Sequence, residues 1–320
     1  MKKIGVLTSG GDAQGMNAAV YAVTKYGIEN GFDVYAVYNG YQGLIDGKVS
    51  KLLPADVEGI IAKGGTAIGT ARCPDMKTEE GQLKAVQTLK KMGIEGLVVI
   101  GGDGSFQGAK VLSTKYGIKT VGIPGTIDND LAYTDFTLGF DSATTVAVNA
   151  INMLRDTMSC NDRSCVVEVM GRNCGDIALY SALSTGAEAV LVPETDNGID
   201  CVVKKIKANA EKGKFSNIIV VAEGCIGANA AMEEIKRQLP EINIRSMVVG
   251  HLQRGGDATL QDRLLGIKMG AHAIKCLLEG KTDRVIGVKN SEIFDEDIVE
   301  ALSKQKKFDV ALYELAEKLS

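Results

Sequence analysis

A chain of 320 residues suits about two domains, and 45% apolar with 24% charged residues exclude a largely disordered polypeptide. A net charge of −4 leaves no global basic footprint for nucleic acid or anionic lipid. No run of about 18 apolar residues offers a membrane-spanning helix. Along the chain, short β-branched runs recur, each followed by Gly or Asp and then a helical pattern. Strands are expected over residues 4–8, 34–37, 97–100, 120–123, 165–170, 189–192, 218–222, 246–249 and 285–288. Between them, Leu83, Val86 and Leu89 recur at helical spacing before Gly93, and Val202, Val203, Ile206 and Ala210 before Gly213. Continuous apolar strands alternating with helices indicate an α/β fold whose parallel sheets are covered on both faces.

The opening Met1-Lys2-Lys3 resembles the start of a leader, but its apolar stretch stops at Thr8-Ser9-Gly10-Gly11-Asp12. That is too short for a signal peptide, so a cytoplasmic protein is expected. Seven Cys, an odd number with no C-x-x-C pair, and only two His argue against a disulfide framework or a structural zinc site. The Cys read as small buried fillers.

In doubly wound sheets ligands sit beyond the carboxyl ends of strands. The first strand is followed by Ser9-Gly10-Gly11-Asp12-Ala13-Gln14-Gly15. Such glycines let backbone N–H groups approach a phosphate, and a helix N-terminus favours the anion; a plain tight turn reads the same way. The segment is neither a P-loop nor G-x-G-x-x-G. After residues 97–100 comes Gly101-Gly102-Asp103-Gly104-Ser105. A carboxylate beside phosphate repels it unless a cation intervenes, so Asp103 suggests Mg²⁺ bridging to phosphate oxygens; the alternative is a helix N-cap. The third loop is Pro124-Gly125-Thr126-Ile127-Asp128-Asn129-Asp130. Asp residues in turns usually make local hydrogen bonds. Two of them two apart also suit a division of labour, one taking a hydroxyl proton and the other helping hold metal. Thr126 offers a hydroxyl to phosphate.

Only nine of the basic residues are Arg, and five of these (Arg72, Arg163, Arg172, Arg245 and Arg254) fall in or beside strand-end loops. Arg suits forked recognition of phosphate oxygens. His251, beside Arg254 and two glycines, reads as a ligand donor, and His272 as structural. Tyr41 either stacks on a base or covers a sheet edge.

Together these motifs, with Val169-Met170-Gly171-Arg172 and Gly250-His251-Leu252-Gln253-Arg254-Gly255-Gly256, resemble the bacterial ATP-dependent 6-phosphofructokinases, in the family's order and over essentially the whole chain. The resemblance implies a glycolytic transfer of the ATP γ-phosphoryl group to the 1-hydroxyl of fructose 6-phosphate. It makes Asp128 the base, places Mg²⁺ on Asp103 with Asp130 nearby, and sets Gly11, Arg72 and Thr126 against the transferring group. Tyr41, Cys73, Gly102, Asp103, Gly104 and Ser105 line the nucleotide site. Thr126, Met170, Gly171, Arg172, Glu223, His251 and Arg254 serve the sugar phosphate, with Arg163 and Arg245 lent across the interface of a homotetramer. It further implies two similar three-layer α/β domains: residues 1–139 with 253–303 for the nucleotide, and 140–252 with 304–320 for the sugar phosphate, the chain crossing three times. No nucleic acid or membrane partner is expected.

Departures from the family refine this. Pyrophosphate-using relatives carry Asp and Lys where this chain has Gly104 and Gly125; two glycines are expected to leave open space and favour ATP. Gln14 replaces the usual Pro and is expected to alter only turn stiffness. At the effector site, Tyr21, Lys25 and Pro54 stand where relatives commonly have Arg, while Arg155, Glu188, Lys212 and Lys214 are kept; weak or altered regulation is expected. The rival readings are a lipid or NAD kinase, sharing only the Gly-Gly-Asp-Gly turn, and a non-enzymatic sugar-phosphate or nucleotide sensor, which has no need of Asp128.

Overall fold

The computed structural model describes all 320 residues, Met1–Ser320. In chain order, β1 (Lys3–Thr8), α1 (Met16–Glu29), β2 (Asp33–Val37), α2 (Gly40–Ile45), β3 (Val49–Lys51), α3 (Glu79–Met92), β4 (Gly96–Gly101), α4 (Asp103–Tyr116) and β5 (Lys119–Pro124) come first. They are followed by α5 (Phe140–Ser159), β6 (Ser164–Val169), α6 (Asp176–Thr185), β7 (Ala189–Leu191), α7 (Ile199–Glu211), β8 (Ile218–Ala222), α8 (Ala228–Gln238) and β9 (Ile244–Val248). Then α9 (Leu260–Leu278), β10 (Arg284–Lys289), β11 (Glu292–Asp297), α10 (Ile298–Ser303) and α11 (Val310–Leu319) close the chain. Contacts gather these into two compact units. One comprises Met1–Ile127, Leu131–Ser142 and Arg254–Lys306; the other comprises Asp128–Asp130, Ala143–Gln253 and Lys307–Ser320. Residues 128–130, expected with the first domain, group with the second unit.

The first unit holds a seven-stranded sheet in the order β11-β10-β5-β4-β1-β2-β3, in which the five inner strands run parallel. Period-two alternation sorts its side chains. Leu7, Val37, Leu97 and Val99 join the core with Leu44, Ala85, Leu89, Phe106, Leu112 and Ala301, on the face covered by α2, α3, α4 and α10. Ile4 and Val34 point the other way, meeting Gly27 of α1 and Ile274 of α9. Each such fully buried aliphatic stabilises the fold by about 1.5–3 kcal/mol. α1 and α9 lie very close: a Cβ at Gly266 or Gly270 would come within 2.7 or 2.8 Å of α1-side backbone oxygens. Small residues there are therefore a packing requirement. α3 carries its own punctuation, with Thr78 Oγ1 accepting from the Gly81 amide at 3.1 Å and Gly93 ending it at φ 69°.

The second unit holds four parallel strands, β7-β8-β6-β9. Val166, Ile219, Val221 and Ile244 bury one face beneath Val202, Val203 and Ile206 of α7 and Ala231 and Ile235 of α8. α11 packs beside α6 and is tied to α7 by Lys205–Glu317 at 2.8 Å.

Two strands were absent from the sequence reading. β3 and β11 are short or polar, antiparallel, and at opposite edges of the first sheet. A strand exposed on one side lacks the continuous apolar run that marked the buried ones. With seven strands against four, the two units share a mode of construction rather than a size.

Candidate active site

Because β5, β4 and β1 are parallel neighbours, their carboxyl-end loops emerge side by side and are stitched together. The Ser9 amide donates to the Ile100 carbonyl at 2.9 Å and the Gly125 amide to the Gly101 carbonyl at 2.9 Å. Ser105 Oγ donates to the Ser9 carbonyl at 3.2 Å, and Thr70 Oγ1 to the Gly10 carbonyl at 2.8 Å. Gly10 turns at φ 91°, a left-handed conformation that favours glycine. A Cβ on Gly11 would lie 2.5 Å from Arg254 Nη1, which donates to the Asp12 carbonyl at 2.6 Å. Arg254, expected on the sugar phosphate, thus braces the first loop.

Gly102, not Asp103, stands at the N-cap of α4; Asp103 is the first helical residue and its side chain is exposed. The N-cap alternative for Asp103 is therefore set aside. An exposed carboxylate at a helix N-terminus, one residue from a glycine whose Cβ would lie 3.8 Å from Thr126 Cβ, offers oxygen donors of the kind Mg²⁺ takes. The residues fit such an ion. At Gly104 a Cβ would meet nothing within 4 Å, whereas at Gly125 it would lie 2.8 Å from Met16 Cε and 3.1 Å from Ile100 Cγ2. The expectation of open space thus holds at 104 only; Gly125 is packed.

Tyr41 is 3% exposed, donates to the Ser105 carbonyl at 2.7 Å and lies against Gly108. Its ring supports the 102–105 turn from the core and offers no free face to a base. Burial pushes its hydroxyl pKa well up. Arg72 is exposed, and Cys73 opens a single 3-10 turn, its thiol raised by burial. Gln14 is fully buried and donates to the Gly255 carbonyl at 3.0 Å, so it anchors one loop to another, a role beyond the expected change in turn stiffness. Thr126 is partly exposed, and its carbonyl accepts from Thr137 Oγ1 at 2.6 Å.

In the second unit, Met170, Glu223 and His251 follow the carboxyl ends of β6, β8 and β9, three adjacent strands. Arg172, itself at φ 53°, places Nε 3.2 Å from Asp128 Oδ2. The guanidinium side chain is 65% exposed and the carboxylate 2%. Glu223 Oε1 accepts from the Gly171 and Arg172 amides at 3.1 and 2.6 Å, which fixes the loop that carries Arg172. His251 is exposed within the short 3-10 turn Gly250–Arg254.

Several residues that shape this end escaped the sequence reading. Asn129 Nδ2 donates to Asp176 Oδ2 at 2.9 Å, both buried, and Gln253 Oε1 accepts from the Met170 amide at 2.9 Å. In the first unit, Asp262 accepts from the Gly139 and Ser142 amides and from Ser142 Oγ at 2.9, 2.9 and 2.6 Å, anchoring the start of α5; burial raises its carboxyl to about 6 despite those donors. Asn129 and Gln253 sit in loops or short turns and Asp176 and Asp262 in the first turns of α6 and α9, so no local pattern in the sequence pointed to their distant partners.

Arg163 and Arg245 lie at the amino ends of β6 and β9, and Arg245 is paired in register with Cys165. A six-residue strand separates that end from Met170 by roughly 17–20 Å. These two arginines therefore cannot share a phosphate with Arg172 and His251 of the same chain. The expected effector residues fall into two groups. On the first unit, Tyr21 and Lys25 of α1 lie near the turn that opens at Pro54, and Lys25 pairs with Glu58 at 3.7 Å. On the second, Glu188 is held by Lys214 at 2.7 Å, Arg155 at 3.0 Å and the Ile218 amide at 2.6 Å. Burial pushes the Glu188 carboxyl up, but these donors outweigh it and hold it below the usual range. Lys212 caps the C-terminus of α7.

Residues 3–277 match the family profile described as Phosphofructokinase. The chain belongs to that family. It is 52% identical over 320 residues, all of both chains, to an ATP-dependent 6-phosphofructokinase of Clostridium tetani. It is 54% identical over 316 residues, 99% of this chain and 98% of the other, to ATP-dependent 6-phosphofructokinase 1 of Clostridium perfringens. Among solved structures it is similar to phosphofructokinase from Saccharomyces cerevisiae, with a TM-score of 0.91 and 34% identity over 99% of this chain and 50% of that one. A pyrophosphate-dependent phosphofructokinase from Marinobacter aquaeolei shares the fold, with a TM-score of 0.86 at 21% identity over 97% of this chain and 86% of that one. Family membership explains why glycine turns and carboxylates recur at successive strand ends: the family's chemistry is phosphoryl transfer, which needs placement and charge neutralisation more than covalent help.

Proposed function

We propose that the chain transfers the γ-phosphoryl group of ATP to the 1-hydroxyl of fructose 6-phosphate, giving fructose 1,6-bisphosphate and ADP. The observation that carries this is more than half identity, end to end, with relatives named for that activity. The loops of the first unit supply the nucleotide half: the 9–11 and 102–105 turns present backbone amides to the phosphates, with Arg72 and Thr126 meeting the transferring group. Asp103 and Asp130 would hold a Mg²⁺, which neutralises phosphate oxygens when bound. The second unit supplies the sugar half. Asp128 takes the proton of the 1-hydroxyl as its oxygen attacks phosphorus and the bond to the ADP oxygen breaks. Arg172, paired with Asp128, keeps that carboxylate in one place, and Met170, Gly171, Glu223, His251 and Arg254 complete the recognition.

Arg163 and Arg245, at the far ends of their strands, serve a neighbouring copy's sugar phosphate in a homotetramer. No helix is long and apolar enough to cross a membrane, and a cytoplasmic setting suits the reaction. Regulation is weak, because two of the three altered effector positions carry no charge and the third, Lys25, already faces Glu58. A coupled assay with fructose 6-phosphate and Mg-ATP tests the reading. Turnover with ATP is expected; a much higher kcat/KM with pyrophosphate, or none with either donor, would overturn it.

A further inference from the structure

Outside the proposed active site, one cluster combines nitrogen, sulfur and oxygen donors. His272 and Cys276 stand one turn apart on the same face of α9, and Asp295 reaches them from β11. His272 Nε2 lies 3.0 Å from Asp295 Oδ1, and the three ligand atoms lie within 4.8 Å of one another. Tetrahedral zinc, with bonds of about 2.0–2.3 Å, needs ligand atoms roughly 3.3–3.7 Å apart, so contraction of about 1 Å closes the triangle. We propose that His272, Cys276 and Asp295 form a three-ligand site for a borderline-soft divalent transition metal, with Zn²⁺ as the reference ion.

The donor set decides the class. Mg²⁺ and Ca²⁺ take oxygen, whereas an imidazole with a thiolate selects zinc and its neighbours. Two cations share the carboxylate and must be accommodated. Lys281 Nζ lies 3.2 Å from Asp295 Oδ1 but also 3.0 Å from Glu279 Oε2 and is 42% exposed; the metal takes its place on Oδ1 and Lys281 keeps Glu279. Arg284 Nε holds the other oxygen, Oδ2, at 2.7 Å and stays there, fixing the carboxylate's direction as outer partners of metal ligands do. Thiolate and carboxylate together offset the ion's two charges, and the Cys276 proton leaves to solvent on binding. Cys276 is 1% exposed, so the ion enters past the His272 side chain, which is 25% exposed. Solvent completes the fourth position. Occupancy would join the last turns of α9 to edge strand β11 and stabilise the first unit by mass action.

The test uses the full chain, stripped with chelator and kept free of magnesium, titrated with Zn²⁺ alone and separately with Co²⁺. One equivalent should bind per chain, the cobalt form should show a near-ultraviolet thiolate charge-transfer band, and zinc should raise the Tm. Cys276→Ser should abolish the band, and His272→Gln should weaken zinc binding by at least about 10–100-fold. Should Cys276→Ser misfold, the wild-type cobalt spectrum and the variant of the partly exposed His272, His272→Gln, still decide. A cobalt complex without the thiolate band, zinc affinity unchanged in His272→Gln, or no stoichiometric binding at all would each overturn the proposal.

Discussion

Gly104→Asp separates donor choice from folding better than any other change in this chain. A Cβ at 104 would meet nothing within 4 Å, and the position lies in the first turn of α4. Removing a helical glycine gains up to about 1 kcal/mol, and a carboxylate near a helix N-terminus gains about 0.3–1 kcal/mol, with repulsion from neighbouring Asp103 subtracting a comparable amount. The Tm should therefore move by no more than a few degrees in either direction. The nucleotide meets a different balance. A new negative charge about 4 Å from a phosphate oxygen costs about 1 kcal/mol in water-like surroundings and about 4 kcal/mol at an effective dielectric of 20. At 1.4 kcal/mol per decade, kcat/KM for Mg-ATP should fall between about 5-fold and about 10³-fold, while KM for fructose 6-phosphate changes little. The assay is the coupled one with ATP varied, paired with thermal melting. A Tm near wild type with ATP kinetics within twofold of wild type would refute the reasoning, because the residue would then be far from the phosphates. A collapse of Tm would refute the reading of open space.

Asp128→Asn keeps the side-chain volume but removes the proton acceptor; turnover should fall by about 10²–10⁴-fold with fructose 6-phosphate affinity changed far less, and near-normal turnover would deny Asp128 its role. The Arg172 partner is 65% exposed, so the same variant should lose only about 1 kcal/mol of stability or less. Glu188 has a native pKa below its unfolded 4.5. It therefore adds stability above pH 4.5 that is lost as the pH falls through the native value. Glu188→Gln should lower the Tm at pH 7 and converge on wild type in acid; a Tm gap that is constant with pH would contradict this. Phosphoenolpyruvate or ADP should leave the fructose 6-phosphate saturation curve nearly unmoved, since each missing charged contact forfeits about 1.5–3 kcal/mol; a strong shift at micromolar phosphoenolpyruvate would show the altered positions to be dispensable.

The parts of the fold that could be read in advance are those whose sequence is over-determined. Leu97, Val98, Val99 and Ile100 are buried on both faces of β4, so the run is apolar throughout and ends at glycines that the next loop needs. β11, Glu292–Asp297, pairs on one side only and is half-exposed along its length; charged residues are acceptable there, and nothing in the local pattern separates it from a loop. The same physics hid the second unit's interest in residues 128–130. That grouping is made by Arg172 and Asp176, more than 40 positions downstream, and no local window contains both partners.

The site follows a related rule. Residues singled out from the sequence sit in short, unusual strings whose chemistry is local, such as two carboxylates two apart after a strand. Those given no role in advance act by reaching backbone groups far away in sequence: Gln253 accepts from the Met170 amide, Asp262 from the Gly139 and Ser142 amides, and Gln14 donates to the Gly255 carbonyl. A buried polar side chain must find a partner or cost the full desolvation of its group, and a loop amide beside an active centre must be held or it will wander. Each of these side chains answers both demands at once, Asp262 through three donors. Sequence alone shows the polar residue but never names the distant backbone group that meets it. Arg254 adds a contact its motif did not show: its guanidinium lies by Gly11 and donates to the Asp12 carbonyl. A charge-assisted bond to a loop carbonyl holds that loop in one conformation, and the same Arg can serve the backbone first and a ligand afterwards.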